Sequence, residues 1–152
     1  SDAELKVATR DDSGWLLGDD IPSAFPAEDP LLLTYRGPNF FADVTTIAER
    51  LPVPDSERAG VLVFDVGELG RFSSTTLKEI GKYHTSLAAC GSGLVLAGIG
   101  ESSLRTLDRT GLLEQIGEQN TVRSDPHLGT TMDLGMARGR ELLTELRAEH
   151  GD

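Results

Sequence analysis

The 152-residue chain has a single cysteine, a single tryptophan and no two adjacent basic residues. One cysteine, Cys90, excludes an intrachain disulfide and fits a reducing cytoplasm. It falls at a helix end beside Gly91-Ser92-Gly93 and reads as a small buried hydrophobe. A net charge of −11 with no basic run or stripe argues against a nucleic-acid polymer as partner. The same charge argues against a helix lying on an anionic membrane surface. No apolar run approaches the ~18 residues of a membrane span, and no secretory leader is read. The three histidines, His84, His127 and His150, are not joined by cysteines or carboxylates at ligand spacing, so no metal site is expected. No Gly-x-Ser-x-Gly elbow precedes a helix. No cofactor is implied.

What the chain does have is enough length for one domain that buries roughly two-thirds of its unfolded surface. Its apolar content of 38% is ordinary to slightly low, and 17 glycines with 7 prolines imply many turns between short elements.

The densest signal is Val61 to Ile80, VLVFDVGELGRFSSTTLKEI. Four apolar residues ending in Asp65 read as a buried parallel strand. The hydroxyl cluster Ser73, Ser74, Thr75 and Thr76 then opens an amphipathic helix, where side-chain oxygens cap unpaired N–H groups. The same place suits an added phosphate, since the helix dipole favours negative charge there. Asp65 stands at a strand end, where α/β sheets hold ligands. Lacking a partner acid or base, it reads as a residue that fixes the loop before Ser73, and the module reads as non-enzymatic.

Other elements follow from periodicity. Leu31–Tyr35 is a strand, and Val44, Ile47, Ala48 and Leu51 form one helical face that Pro52 ends. The helix near 74–89 carries Leu77, Ile80, Leu87 and Ala88 on one side, with His84 at the edge. Leu94–Ala97 is a third buried strand closing in Gly98-Ile99-Gly100. That Gly-x-Gly is weak evidence for a phosphate loop, and the glycines serve a turn. The next helix turns Leu104 and Leu107 inward and sets Arg105 and Arg109 together on its outer face, stopping at Gly111. Those arginines are candidate interaction residues or plain solvated surface. Thr121–Arg123 is a short last strand. The final helix begins at Asp125 or, preferably, at Thr130, where Asp133 stands at capping-box spacing; Gly135 and Gly139 let it pack close. Residues 1–29 read as a linker with at most one edge strand at Leu16 and Leu17, and Trp15 either packs this arm onto the domain or meets a membrane part.

Alternating strands and helices predict an α/β fold: a four- to five-stranded, mostly parallel sheet with about four helices. Phe72 to Leu77 resembles the motif of STAS domains in which Ile-Asp-Ser-Thr/Ser-Gly-Leu opens a helix, with Ser73 at the Asp position and Thr76 at the Gly position. Thr75 matches the phosphorylated hydroxyl of STAS proteins that antagonise anti-sigma factors. Leu31 to Val44, with Tyr35, Arg36, Phe40, Phe41 and Ala42, resembles the start of the STAS domain at the C-terminus of SulP-type anion permeases. Gly93 to Gly117 resembles the family's later strand and helix. Together these stretches cover about residues 30–143.

The resemblance implies a STAS domain over residues 30–149, behind a linker that would follow a membrane domain. It implies a regulatory or assembly role at the cytoplasmic face of the membrane. The expected partners are the membrane part of the same polypeptide, a second copy, or a regulatory protein or nucleotide. Candidate loops are Gly67 to Phe72 with Ser73, Ser74 and Thr75 at the following helix tip, for phosphorylation or a partner, and Asp65, Gly98 and Gly100 for a nucleotide or partner. The alternative is a free-standing anti-sigma factor antagonist switched by Ser/Thr phosphorylation.

Overall fold

In the computed structural model, residues 4–37, 43–127 and 129–150 are described. The expected Phe40-Phe41-Ala42 element lies outside them. Six strands form one sheet in the order β2-β1-β3-β4-β5-β6. The strands β3 (Leu31–Arg36), β4 (Val61–Asp65), β5 (Gly93–Ile99) and β6 (Thr121–Arg123) run parallel, and β1 (Glu4–Asp11) lies antiparallel to both β3 and β2 (Gly14–Gly18). The helices are α1 (Val44–Arg50), α2 (Ser74–Ala89), α3 (Glu101–Arg109), α4 (Leu112–Ile116) and α5 (Thr130–Glu149).

Each central strand feeds two cores because its side chains alternate between faces. Leu31, Leu33, Tyr35, Leu62, Phe64, Leu94 and Leu96 face Ile47, Ile80, Leu87, Leu107 and Leu112 of α1 to α4. Leu32, Val61, Val63 and Val95 face Met132, Met136, Leu142 and Leu143 of α5. A sheet covered on both sides needs strands apolar at every position, which is why β3, β4 and β5 read as continuous runs. One helix alone covers the second face, and it does so by lying close. A Cβ at Gly139 would come 2.6 Å from Val63 Cγ2, and one at Gly135 2.9 Å from Val63 Cγ1.

In the N-terminal segment the edge strand expected at Leu16 and Leu17 is present as β2, and the departure from a linker is β1, which joins it to the sheet. β1 and β2 form a hairpin whose turn is held by Asp11 Oδ1, which accepts from the backbone N–H of Ser13 at 2.8 Å and of Gly14 at 3.1 Å. This is an Asx turn, with Gly14 at φ 131° supplying the conformation other residues resist. Leu5 and Ala8 are buried against the domain. Trp15 Nε1 donates to Asp133 Oδ1 on α5 at 2.9 Å, and Arg10 Nε reaches the same oxygen at 3.1 Å. So Trp15 packs the arm onto the domain. Further along, the Phe25 ring lies over Gly60, where a Cβ would meet it at 2.4 Å.

Two smaller differences concern helices. Past Gly111, in the left-handed conformation at φ 84°, the chain adds the extra helix α4. Thr130 is the first helical residue of α5 and Gly129 its cap, with no side-chain cap bond, and Asp133 spends its carboxylate on Trp15 and Arg10 instead of a capping box.

Candidate functional site

The carboxyl ends of β3, β4 and β5 converge on Asp65. Its Oδ1 accepts from the Gly67 N–H at 3.0 Å, and its Oδ2 accepts from the buried Thr34 hydroxyl at 3.2 Å. Thr34 is placed there by register, since it pairs with Asp65 across the parallel strands. The following backbone is pinned as well, by Val66 N donating to Ala97 O at 3.0 Å. Gly98 closes the cluster: at φ 79°, a Cβ on it would lie 2.6 Å from Asp65 Oδ1 and 2.8 Å from Gly67 N. Only glycine offers both that conformation and that clearance. The register also slips between Ala97 and Ile99. This bulge turns Ile99 into the core of α1 to α4, whereas strict alternation would have sent it to the face of Val95.

Beside this cluster, Arg36 bridges two loops. Its Nη1 donates to Glu68 Oε2 at 2.8 Å, and its Nη2 stands 3.9 Å from Asp65 Oδ2. The other Glu68 oxygen accepts from Gly37 N at 3.2 Å. Burial, and then the Glu68 charge, push the Tyr35 phenol above its usual range. All these contacts hold loops together; no histidine or second acid reaches Asp65 among the described residues. Asp65 therefore fixes the turn into α2.

The candidate residues divide. Asp65 and Gly98 are brought together, whereas Gly100 is not. It caps α3 at an ordinary φ of −77°, and the nearest atom a Cβ there would meet is Ser124 Oγ at 4.0 Å. Ser73 is the N-cap of α2, its Oγ accepting from Thr76 N at 3.1 Å and lying 3.0 Å from the Thr76 hydroxyl. Thr76 is buried. Ser74 and Thr75 are exposed on the first turn. Ser74 opens onto a groove that it shares with Arg71, Arg105 and Arg109, so the two arginines of α3 face the tip of α2.

Sequence reasoning missed Thr34 and the clasp that Arg36 makes with Glu68, although Glu68 lies in the candidate loop Gly67 to Phe72. Thr34 interrupts an apolar strand, a local sign that a buried hydroxyl has a partner, but nothing local identifies that partner. The apolar cavity under α1 and α2, lined by Ile47, Phe64, Ile80 and Leu96, holds about 20 Å³. That is room for one water and no ligand.

Known proteins share this architecture. A model of the STAS domain matches residues 24–127. The fold is similar to that of a sulfate transporter family protein from Wolinella succinogenes at 20% identity and a TM-score of 0.55, covering 83% of this chain and 99% of that one. It is also similar to the STAS domain of a SulP transporter from Vibrio cholerae at 20% identity and a TM-score of 0.52, covering 83% of this chain and 89% of that one. No curated protein matches the chain. Because the matched residues make up more than two-thirds of its length, the chain belongs to the STAS domain family.

Proposed function

We propose that this chain is the cytoplasmic regulatory and assembly domain of a SulP-type anion transporter, acting without catalysis of its own. The observation that carries the reading is the shared fold with two domains of such transporters, supported by the permease-like pattern at Leu31 to Val44. No helix among the described residues is long and apolar enough to cross a membrane, so transport would belong to a membrane part of the same polypeptide. The domain would support folding, dimerisation or gating of that part through its strand-end loops. The clasp of Arg36, Glu68 and Asp65 gives these loops the fixed shape that a docking surface needs.

The test is made on native cells. An antibody raised against this domain is used to compare membrane and soluble extracts. A membrane band several times larger than 16.3 kDa is the expected result. A soluble band near that mass overturns the reading and favours a free-standing antagonist of an anti-sigma factor, with Ser74 and Thr75 as the residues to examine for phosphate.

A further inference from the structure

The side of the domain formed by α2, α3 and α4 carries Glu79, Glu101, Asp108 and Glu114 as well as its cations, but its grooves are lined by charge opposite to that of the chain as a whole. Two adjoining grooves run along it. One is lined by Arg71, Arg105 and Arg109 and the other by Lys78 and Lys82, while Leu77 and Thr110 line both. Among the described residues no Asp or Glu lines either groove, although the chain has 25 acidic residues against 14 basic ones. Lys78 and Lys82 are four residues apart on α2, and Arg105 and Arg109 are four apart on α3. Each pair therefore stands on one helix face, one turn apart.

The cations here are also unspent. Elsewhere Lys6 pairs with Asp19, Arg10 with Asp133, Arg36 with Glu68, Arg138 with Glu145 and Arg140 with Asp29, while Arg50, Arg58, Arg123 and Arg147 have no ion pair among the described residues. In the groove only Lys82 approaches a carboxylate, Glu79 at 3.9 Å. Arg71, Lys78, Arg105 and Arg109 have no ion pair among the described residues. The floor between the charges is largely apolar, made by Leu77, Gly81, Ala89 and the edge of the buried Leu112, with Thr85, Ser86 and Gln115 beside them. It follows α2, whose 16 residues span about 24 Å, or some four helical turns.

We propose that this trough docks an acidic amphipathic helix of another protein, its apolar stripe on Leu77 and Leu112 and its carboxylates on the five basic residues. Basic walls with an apolar floor are the complement of such a helix. A second copy of this chain is a poorer occupant, because three of the four acids of its longest helix are engaged: Asp133 by Arg10 and Trp15, and Glu141 and Glu145 by Arg138. A membrane or nucleic acid would extend beyond the trough. There the net charge of −11 repels it over a Debye length of about 8 Å, whereas a single helix within the trough lies against its basic lining. The inference stands independently of the transporter reading.

The experiment is fluorescence anisotropy with a labelled helical peptide of four turns, built from Leu, Ala and Glu with Leu on one face. A sister peptide carries Lys in place of every Glu. The expected result is saturable binding of the Glu peptide alone, weakened by salt and reduced at least about tenfold by R105E/R109E. Reversing Arg50 and Arg123, which lie outside the trough, leaves binding unchanged, and circular dichroism verifies that both double variants fold. Absence of saturable binding at low salt overturns the proposal, as does equal binding of the two peptides. Self-association of the chain abolished by R105E/R109E, or retention on anionic vesicles lost in the same variant, also overturns it.

Discussion

At Gly98 backbone conformation and side-chain packing make the same demand. An L-residue at φ 79° is strained, and its Cβ would enter the space between Asp65 Oδ1 and Gly67 N. Gly98→Ala is expected to destabilise the domain by about 2–4 kcal/mol, read as a lower urea midpoint. Gly100→Ser, at an ordinary φ with open space, is expected to change stability by no more than about 0.5 kcal/mol. The sequence presents Gly98 and Gly100 alike; only the neighbouring strand distinguishes them.

His84 offers a second test at this scale. Burial lowers its pKa below 6.5, and its Nδ1 accepts from Gln115 Nε2 at 3.1 Å, a bond that requires the neutral ring. The unfolded chain therefore takes up the proton first as pH falls. Stability should be level above about pH 7 and decline as pH drops through 6.5 toward the depressed folded value. His84→Gln should flatten that part of a plot of melting temperature against pH. Periodicity alone placed His84 at the edge of an apolar face, but its partner is 31 residues away.

Among the elements, α5 sets helix propensity against packing. Alanine is favoured over glycine by about 1 kcal/mol in a helix interior. Yet a Cβ at Gly139 would lie 2.6 Å from Val63 Cγ2 and 3.2 Å from Pro30 Cγ. Gly139→Ala should therefore destabilise the domain by about 1–3 kcal/mol, observed as a lower midpoint in denaturant. A gain in stability would mean that α5 stands further from the sheet. The close approach of this helix was legible, because two glycines stand where an apolar stripe passes. β1 was not legible. Its run ELKVATRD mixes buried Leu5 and Ala8 with Lys6 and Arg10, which are paired to Asp19 and Asp133. A strand with cations neutralised from elsewhere loses the alternation that identifies a half-buried strand.

For the whole molecule, the hairpin adds two antiparallel strands to a parallel α/β core and moves the sheet edge from β3 to the short β2. β1 lies between β2 and β3, so a chain beginning at residue 24, where the family match starts, would expose β3 as an open edge. Such a chain should lose at least about 2–3 kcal/mol, the order of burying Leu5 alone. It should also associate at high concentration, as uncovered edges do. Thermal melting by circular dichroism together with sedimentation velocity measures both effects; an unchanged melting temperature would return residues 1–23 to the status of a linker.

The sequence by itself determined the α/β class, the strands β3, β4, β5 and β6, the helices α1, α2, α3 and α5, and the Asp65-to-Ser73 passage. These rest on short-range periodicity, apolar runs and caps, which are local properties of the chain. Tertiary structure alone decided the rest. It brought Thr34 and Gly98 to Asp65, set Arg105 and Arg109 opposite Arg71, Lys78 and Lys82, and made a supposed linker into two strands. Apart from the local hairpin of β1 and β2, those pairings join residues about 20 or more positions apart, and they depend on strand order and register, which no local pattern encodes.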